Sequence, residues 1–463
     1  MLDDETLENA AAHLSQTFVA ALRGRRELSW TLDGFPKRER LAEWLDDVSP
    51  SSAEEQLAAQ GWLVYAQAEC AERRIRRAVA NDVVKVILAD GSSLTLDEAE
   101  QTLMNKEEKG PYAPLASRIA LATSTIEDEC EPFFDTLEEN GLHASHPGLL
   151  PGGDFEAAEK SLRLFIDDTN EAQVAALDVL QQLSKAGLEE PFALARALDM
   201  PNVKGAFSHD IVKALCGASL EKAGPRLMRP IKRMAVPRSM AGISLSGERT
   251  LRVGWLSSSR SARYSALLSG SAAGVGISLM GAPSLAADDA GRQVGAGFSF
   301  GWQRALLLKT LVDEEEGAAL AKQQVLLSQK ILLARMAASA AIVLLRDGRD
   351  FEALRESLAG LLHQDVGERI VEDLFLPPWP GQMRQRGLFA HLGSVAIGQG
   401  VGAAIDFALR ERFDELWPIM DATYDWFDDV RGPLAHGSIS LGALLELPGT
   451  PGAALSNALL ELL

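Results

Sequence analysis

The stretch RYSALLSGSAAGVGISLMG, Arg263–Gly281, constrains this chain more than any other. Eleven of its nineteen residues are Gly, Ala or Ser, yet its flanks are apolar at helical spacing. Gly270, Gly274 and Gly276 each cost a helix about 1 kcal/mol against alanine. Two explanations are open. Either another backbone packs closely there, or large functional side chains have been lost from the helix.

The surrounding sequence points to an all-α fold with one small hairpin. Leu and Ala dominate, aromatic residues are 6%, and long Val/Ile runs are scarce. From Leu7 to about Leu183 apolar residues recur at i, i+3, i+4 and i+7, the signature of successive amphipathic helices. Val83–Leu88 breaks that rhythm and fits either a short strand or a helix end. ADGSS follows as a turn, and Thr95 with Glu98 makes a capping box for the next helix. His143–Phe155 is a Pro/Gly loop whose Asp154 is placed to cap a further helix. GISL, SGE and TLRVGWL read as a hairpin at about 242–256, preceded by the locally basic Arg226–Arg238. After Ser265 the pattern is helical to the end, interrupted at LPPWPGQ. The expected division is an N-terminal helical region, 1–225, and a second helical region, 226–463.

Charge removes several function classes. A net charge of −20 disfavours nucleic acid, whose phosphates need a basic face, and an anionic membrane surface. The most apolar run, Ile331–Leu345, is too short to span a bilayer and carries Arg335. Cys70, Cys130 and Cys216 stand far apart with no CxxC pair, which excludes a disulfide framework and a thiolate zinc site. The acidic, amphipathic start lacks the features of a signal peptide. A cytoplasmic protein without metal or cofactor is expected.

The order of these signals resembles the helical zinc peptidases of the thimet oligopeptidase and oligoendopeptidase F type. GSSLTLDEAEQTLMNKEEKGPYAPLASRIALA is similar to their helix start and following helix. The C-terminal AAIDFALRERFDELWPI and SISLGALLEL are similar to the last helices of the bacterial members. In that family the zinc helix reads HExxH: two histidines on one helix face hold the metal, and the glutamate is the base for its water. A glutamate on the next helix is the third ligand. Aligned on YSALL, Ser269 and Ala273 stand at the histidines and Gly270 at the base, while GRQVGAGFSFGW places Ala296 at the third ligand. The family's substrate-binding tyrosines are also missing from GLFAHLGSVAIGQGVG, which has His391 instead. A clam-like body with a central cleft is the fold so implied. The function implied is that of an inactive peptidase, binding a peptide or a protein such as an active paralogue, with Arg263, Tyr264 and His391 as candidate binding residues.

Two rivals differ in kind. An enzyme of another class would use the emptied cleft through His391, Tyr264 or Arg263. A purely structural or interaction protein would have a closed core and no usable cleft. Other motifs are weaker. His143 and His146 share a loop with no third ligand in view, and WLSSSRS has no histidine beside its hydroxyls. GQGVG, Gly398–Gly402, lies in an apolar helical run with no preceding strand, so packing outweighs nucleotide binding.

Overall fold

The computed structural model describes residues 85–87, 91–95, 155–183, 209–227, 231–236, 251–256, 272, 274–281, 285–311, 316–347, 388–435, 438–447 and 449–463. These residues are mostly helical, as composition and periodicity predict. Strands β1 (Lys85–Ile87) and β2 (Ser93–Thr95) pair antiparallel, so the break in the helical rhythm is a strand. Their turn needs Gly91, which adopts φ 81° where a side chain would be strained.

The first two described helices, α1 (Phe155–Asp168) and α2 (Asn170–Leu183), follow almost without a gap. Ala158, Leu162, Phe165 and Ile166 of α1, and Ala172, Ala176, Val179 and Leu180 of α2, form their buried stripes. Thr169 separates them: its hydroxyl donates back to the Phe165 carbonyl at 2.8 Å, the local competition by which threonine bends a helix. Helix α3 (His209–Ala223) runs into a single 3₁₀ turn, Gly224–Arg226.

Strands β3 (Ile231–Val236) and β4 (Leu251–Leu256) correct the expected hairpin. They are parallel, in register from Ile231 opposite Leu251 to Val236 opposite Leu256. TLRVGWL is a strand as expected, but its partner is IKRMAV, within the segment that basic charge had marked as a lead-in. The intervening residues 237–250 give a chain room to reverse twice, which parallel pairing requires and a tight SGE turn would forbid. GISL lies outside the described residues.

Three long helices carry the core: α4 (Leu285–Leu311), α5 (Glu316–Asp347) and α6 (Leu388–Phe413). Helix α5 packs against α1, α2 and α6, and α6 packs in turn against α4. The chain closes with a 3₁₀ turn at Trp417–Ile419, then α7 (Asp421–Ala435), α8 (Leu441–Leu444) and α9 (Pro451–Leu460). Helix α9 lies on α6, α1 and α2, and α7 on α4 and α3. One core thus contains side chains from both sides of position 225, from Ala158 to Leu459. Among the described residues no helix is long and apolar enough to cross a membrane.

Glycine sets how closely these helices approach. A Cβ on Gly276 would lie 2.8 Å from the Gly295 Cα and closer still to the Gly291 carbonyl oxygen. Residues 274–280 therefore cross α4 backbone against backbone. At Gly402 a Cβ would lie 2.8 Å from the Ala296 carbonyl oxygen, so α6 meets α4 in the same manner. The glycine-rich helix is explained at this crossing by close packing, the first of the two alternatives.

Candidate functional site

The residues expected to mark a lost zinc site are only partly described. Ser269, Gly270 and Ala273, with Arg263 and Tyr264, lie outside the described residues. His391 falls in the first turn of α6, and its side chain is likewise outside them. Ala296 is placed: it sits on α4, its Cβ 3.5 Å from where Gly402 of α6 would carry one. Among the described residues no three His, Cys, Asp or Glu side chains come together to hold a metal ion.

The best-formed polar constellation lies elsewhere, around Asp406 of α6, which is 2% exposed. Arg304 of α4 grips it in a fork, Nε to Oδ2 and Nη2 to Oδ1, both at 2.9 Å. The Trp417 indole donates to Oδ1 at 2.8 Å. Arg410, one turn on, approaches Oδ2 at 3.4 Å. Glu415, half exposed, completes the group by pairing with Arg304 and Arg410. Two guanidinium groups thus face two carboxylates. Both oxygens of Asp406 are taken by donors, which leaves no lone pair aimed at a substrate proton. The arrangement fastens α4, α6 and the 3₁₀ turn together, and catalysis is not what it is built for.

No known protein family, curated protein or solved structure matches this chain. The site's chemistry therefore rests on its own geometry.

Beside Asp406 lies an aromatic cluster centred on Phe298, whose ring is 4.8 Å from that of Trp417 and 5.8 Å from those of Trp302 and Tyr424. Its polar edges are satisfied internally. Trp302 Nε1 donates to the Ser219 hydroxyl at 2.7 Å, and that hydroxyl donates to the Pro418 carbonyl at 2.8 Å. The Tyr424 hydroxyl donates to the same carbonyl at 2.7 Å. Burial pushes the Tyr424 phenol above its usual range, so it stays protonated. Ser219→Ala is expected to strand the buried Trp302 N–H and to cost about 1–3 kcal/mol in urea unfolding.

Two cations on α5 complete the inventory. Arg335 is fully buried; its guanidinium donates to the Ile166 carbonyl, to Thr169 Oγ1 at 2.6 Å and to Asn170 Oδ1 at 2.8 Å. A cation at the end of α1 suits the helix dipole. Desolvation lowers its pKa to about 10, opposed by Asp167. Lys330 donates to Gln399 Oε1 of α6 at 2.8 Å and stands 4.9 Å from the centre of the Phe300 ring of α4. Burial lowers its pKa from 10.5 to about 8.

The folded state therefore gives up the Lys330 proton before the unfolded chain does. Stability from this group rises with pH between about 8 and 10.5, and its charge is a full penalty below that window. Against Lys330→Met, the wild-type chain is expected to gain about 1–2 kcal/mol between pH 7 and pH 10 in paired urea titrations. A flat difference would rule this out.

Of the basic stretch Arg226–Arg238, Arg226 is committed to α7. It pairs with Asp425, and its Nε lies 3.6 Å from Asp428. The hydrogen bond to Asp425 raises its pKa. Lys222 extends the ladder to Asp421 at 2.7 Å, and that hydrogen bond holds the Asp421 carboxyl below its usual range. Sequence reasoning missed Asp406, Lys330 and these pairs as partners, although a lone charge inside an apolar helix is a signal for the first two.

Proposed function

We propose that this chain is a non-catalytic helical protein that acts by holding a protein or peptide partner. The resemblance to helical zinc peptidases gives the proposal its specific form: an inactive peptidase-like protein, clam-shaped, cytoplasmic and free of cofactor. It would pair with a peptide or an active paralogue, and with neither nucleic acid nor membrane.

The observation that carries this reading is the contact of Ala296 with Gly402. The position that would bear the third zinc ligand has a methyl group, and the Gly402 backbone of α6 packs against the same turn. A glutamate there would have to share that turn with a helix crossing. The acid–base machinery of hydrolysis needs a base with a free lone pair, and the strongest carboxylate cluster is filled by arginines and an indole.

A second reading, a closed interaction scaffold without a cleft, is favoured by the crossing of residues 274–280 with Gly291 and Gly295. Native mass spectrometry on protein recovered from its own organism, with zinc titration calorimetry on the purified chain, tests both. A metal-free species in stoichiometric complex with a zinc peptidase or a peptide supports the first reading. A metal-free chain bound to a protein unrelated to peptidases supports the second. One zinc per chain with peptide hydrolysis overturns both.

A further inference from the structure

We propose that Lys330 is an acyl-acceptor lysine: its amine, set between α4, α5 and α6 against Gln399 and Phe300, is a preferred site for a small acyl phosphate. Three features of its setting lead there. Among the described residues Lys330 forms no ion pair, and its hydrogen-bond partner is a neutral amide oxygen 2.8 Å away. Its other neighbour is the face of the Phe300 ring, which stabilises a cation weakly and competes with nothing once the charge is gone. Finally, the residue keeps some accessible surface, so a small electrophile can approach along the stem while the nitrogen itself is enclosed.

An ordinary lysine is unreactive because its lone pair carries a proton. Burial is the one cause acting on Lys330, with no charged group of α4, α5 or α6 contributing, and the pKa of about 8 leaves a substantial neutral fraction at neutral pH. At pH 7.5 about a quarter of such amines are free, against about one in a thousand at an ordinary lysine. Lys222, by contrast, is paired with Asp421 at 2.7 Å.

The step balances without any further reactant. The neutral amine attacks the acyl carbon, the new C–N bond forms, and the C–O bond to phosphate breaks. Phosphate departs with the electron pair, and the surplus amine proton passes to water. The product amide keeps one N–H for Gln399 and no longer carries a charge into the seam, so the site that activates the amine also tolerates its product.

The test uses the full chain, acetyl phosphate as the acyl donor, and peptide mass spectrometry of every lysine from pH 6.5 to pH 10. Lys330 is expected to acetylate at least tenfold faster than Lys222 at pH 7.5, with a rate that levels off above pH 8 while Lys222 continues to rise. Unfolding in urea is expected to abolish the difference. Gln399→Glu, which sets a carboxylate against the ammonium, is expected to slow Lys330 at least tenfold at pH 7.5. If Lys330 reacts no faster than Lys222 in the folded chain, or keeps its advantage in urea, the proposal is overturned.

Discussion

Gly276→Ala is expected to cost about 3 kcal/mol or more, although it adds a single methyl group. That methyl would lie 2.8 Å from the Gly295 Cα and nearer still to the Gly291 carbonyl oxygen. Both neighbours are backbone, so neither can rotate away, and relief requires residues 274–280 to move off α4. Such a shift would loosen the packing around Val275, Ile277, Leu279 and Met280, all buried. Gly398→Ala provides the matched control. It lies in α6, where a Cβ meets nothing within 4 Å among the described residues, and alanine there should stabilise the helix by about 0.5–1 kcal/mol. Urea unfolding of the two variants should therefore move in opposite directions. Equal effects would mean that helix propensity alone governs both sites, and that the close crossing does not exist in solution.

That glycine could be noticed in the sequence but not interpreted there. Three glycines in an apolar helix announce either a crossing or a loss, and only the position of α4 separates the two. Periodicity served better where one helix face meets one core: the stripe Ala158, Leu162, Phe165 and Ile166 is legible from spacing alone. The turn ADGSS was legible because Gly91 must reach φ 81°. The strand pair β3–β4 was half legible. Leu251–Leu256 has the composition of a strand, but pairing direction depends on where the chain returns, and a turn-like SGE suggested the wrong partner. The candidate site was the least legible. Asp406 has partners 102 residues before it and 11 after it, and spacing on one helix carries no trace of Arg304 or Trp417.

Asp406→Ala is expected to cost about 3–5 kcal/mol, because it removes the carboxylate and leaves its cations behind. Arg304, 11% exposed at its side chain, would keep only the half-exposed Glu415 as a counterion. The Trp417 indole N–H would lose its acceptor inside a core where the residue is fully buried. Asp406→Asn separates charge from shape: its amide oxygen can still accept from Trp417, but its NH₂ group faces the Arg304 fork donor to donor. The asparagine variant should therefore fall between wild type and alanine, with the larger part of the loss retained. Arg304→Met in the Asp406→Leu background removes both charges together and should recover part of the loss, since no guanidinium is then left without its fork partner. A double-mutant cycle on urea midpoints reads the coupling directly. A coupling near zero would show that Arg304 turns to Glu415 and solvent at no cost, and that α4 and α6 are held by their glycine crossing alone. A large coupling would make the clasp and the crossing two independent locks on the same pair of helices, one set by charge and the other by the absence of side chains.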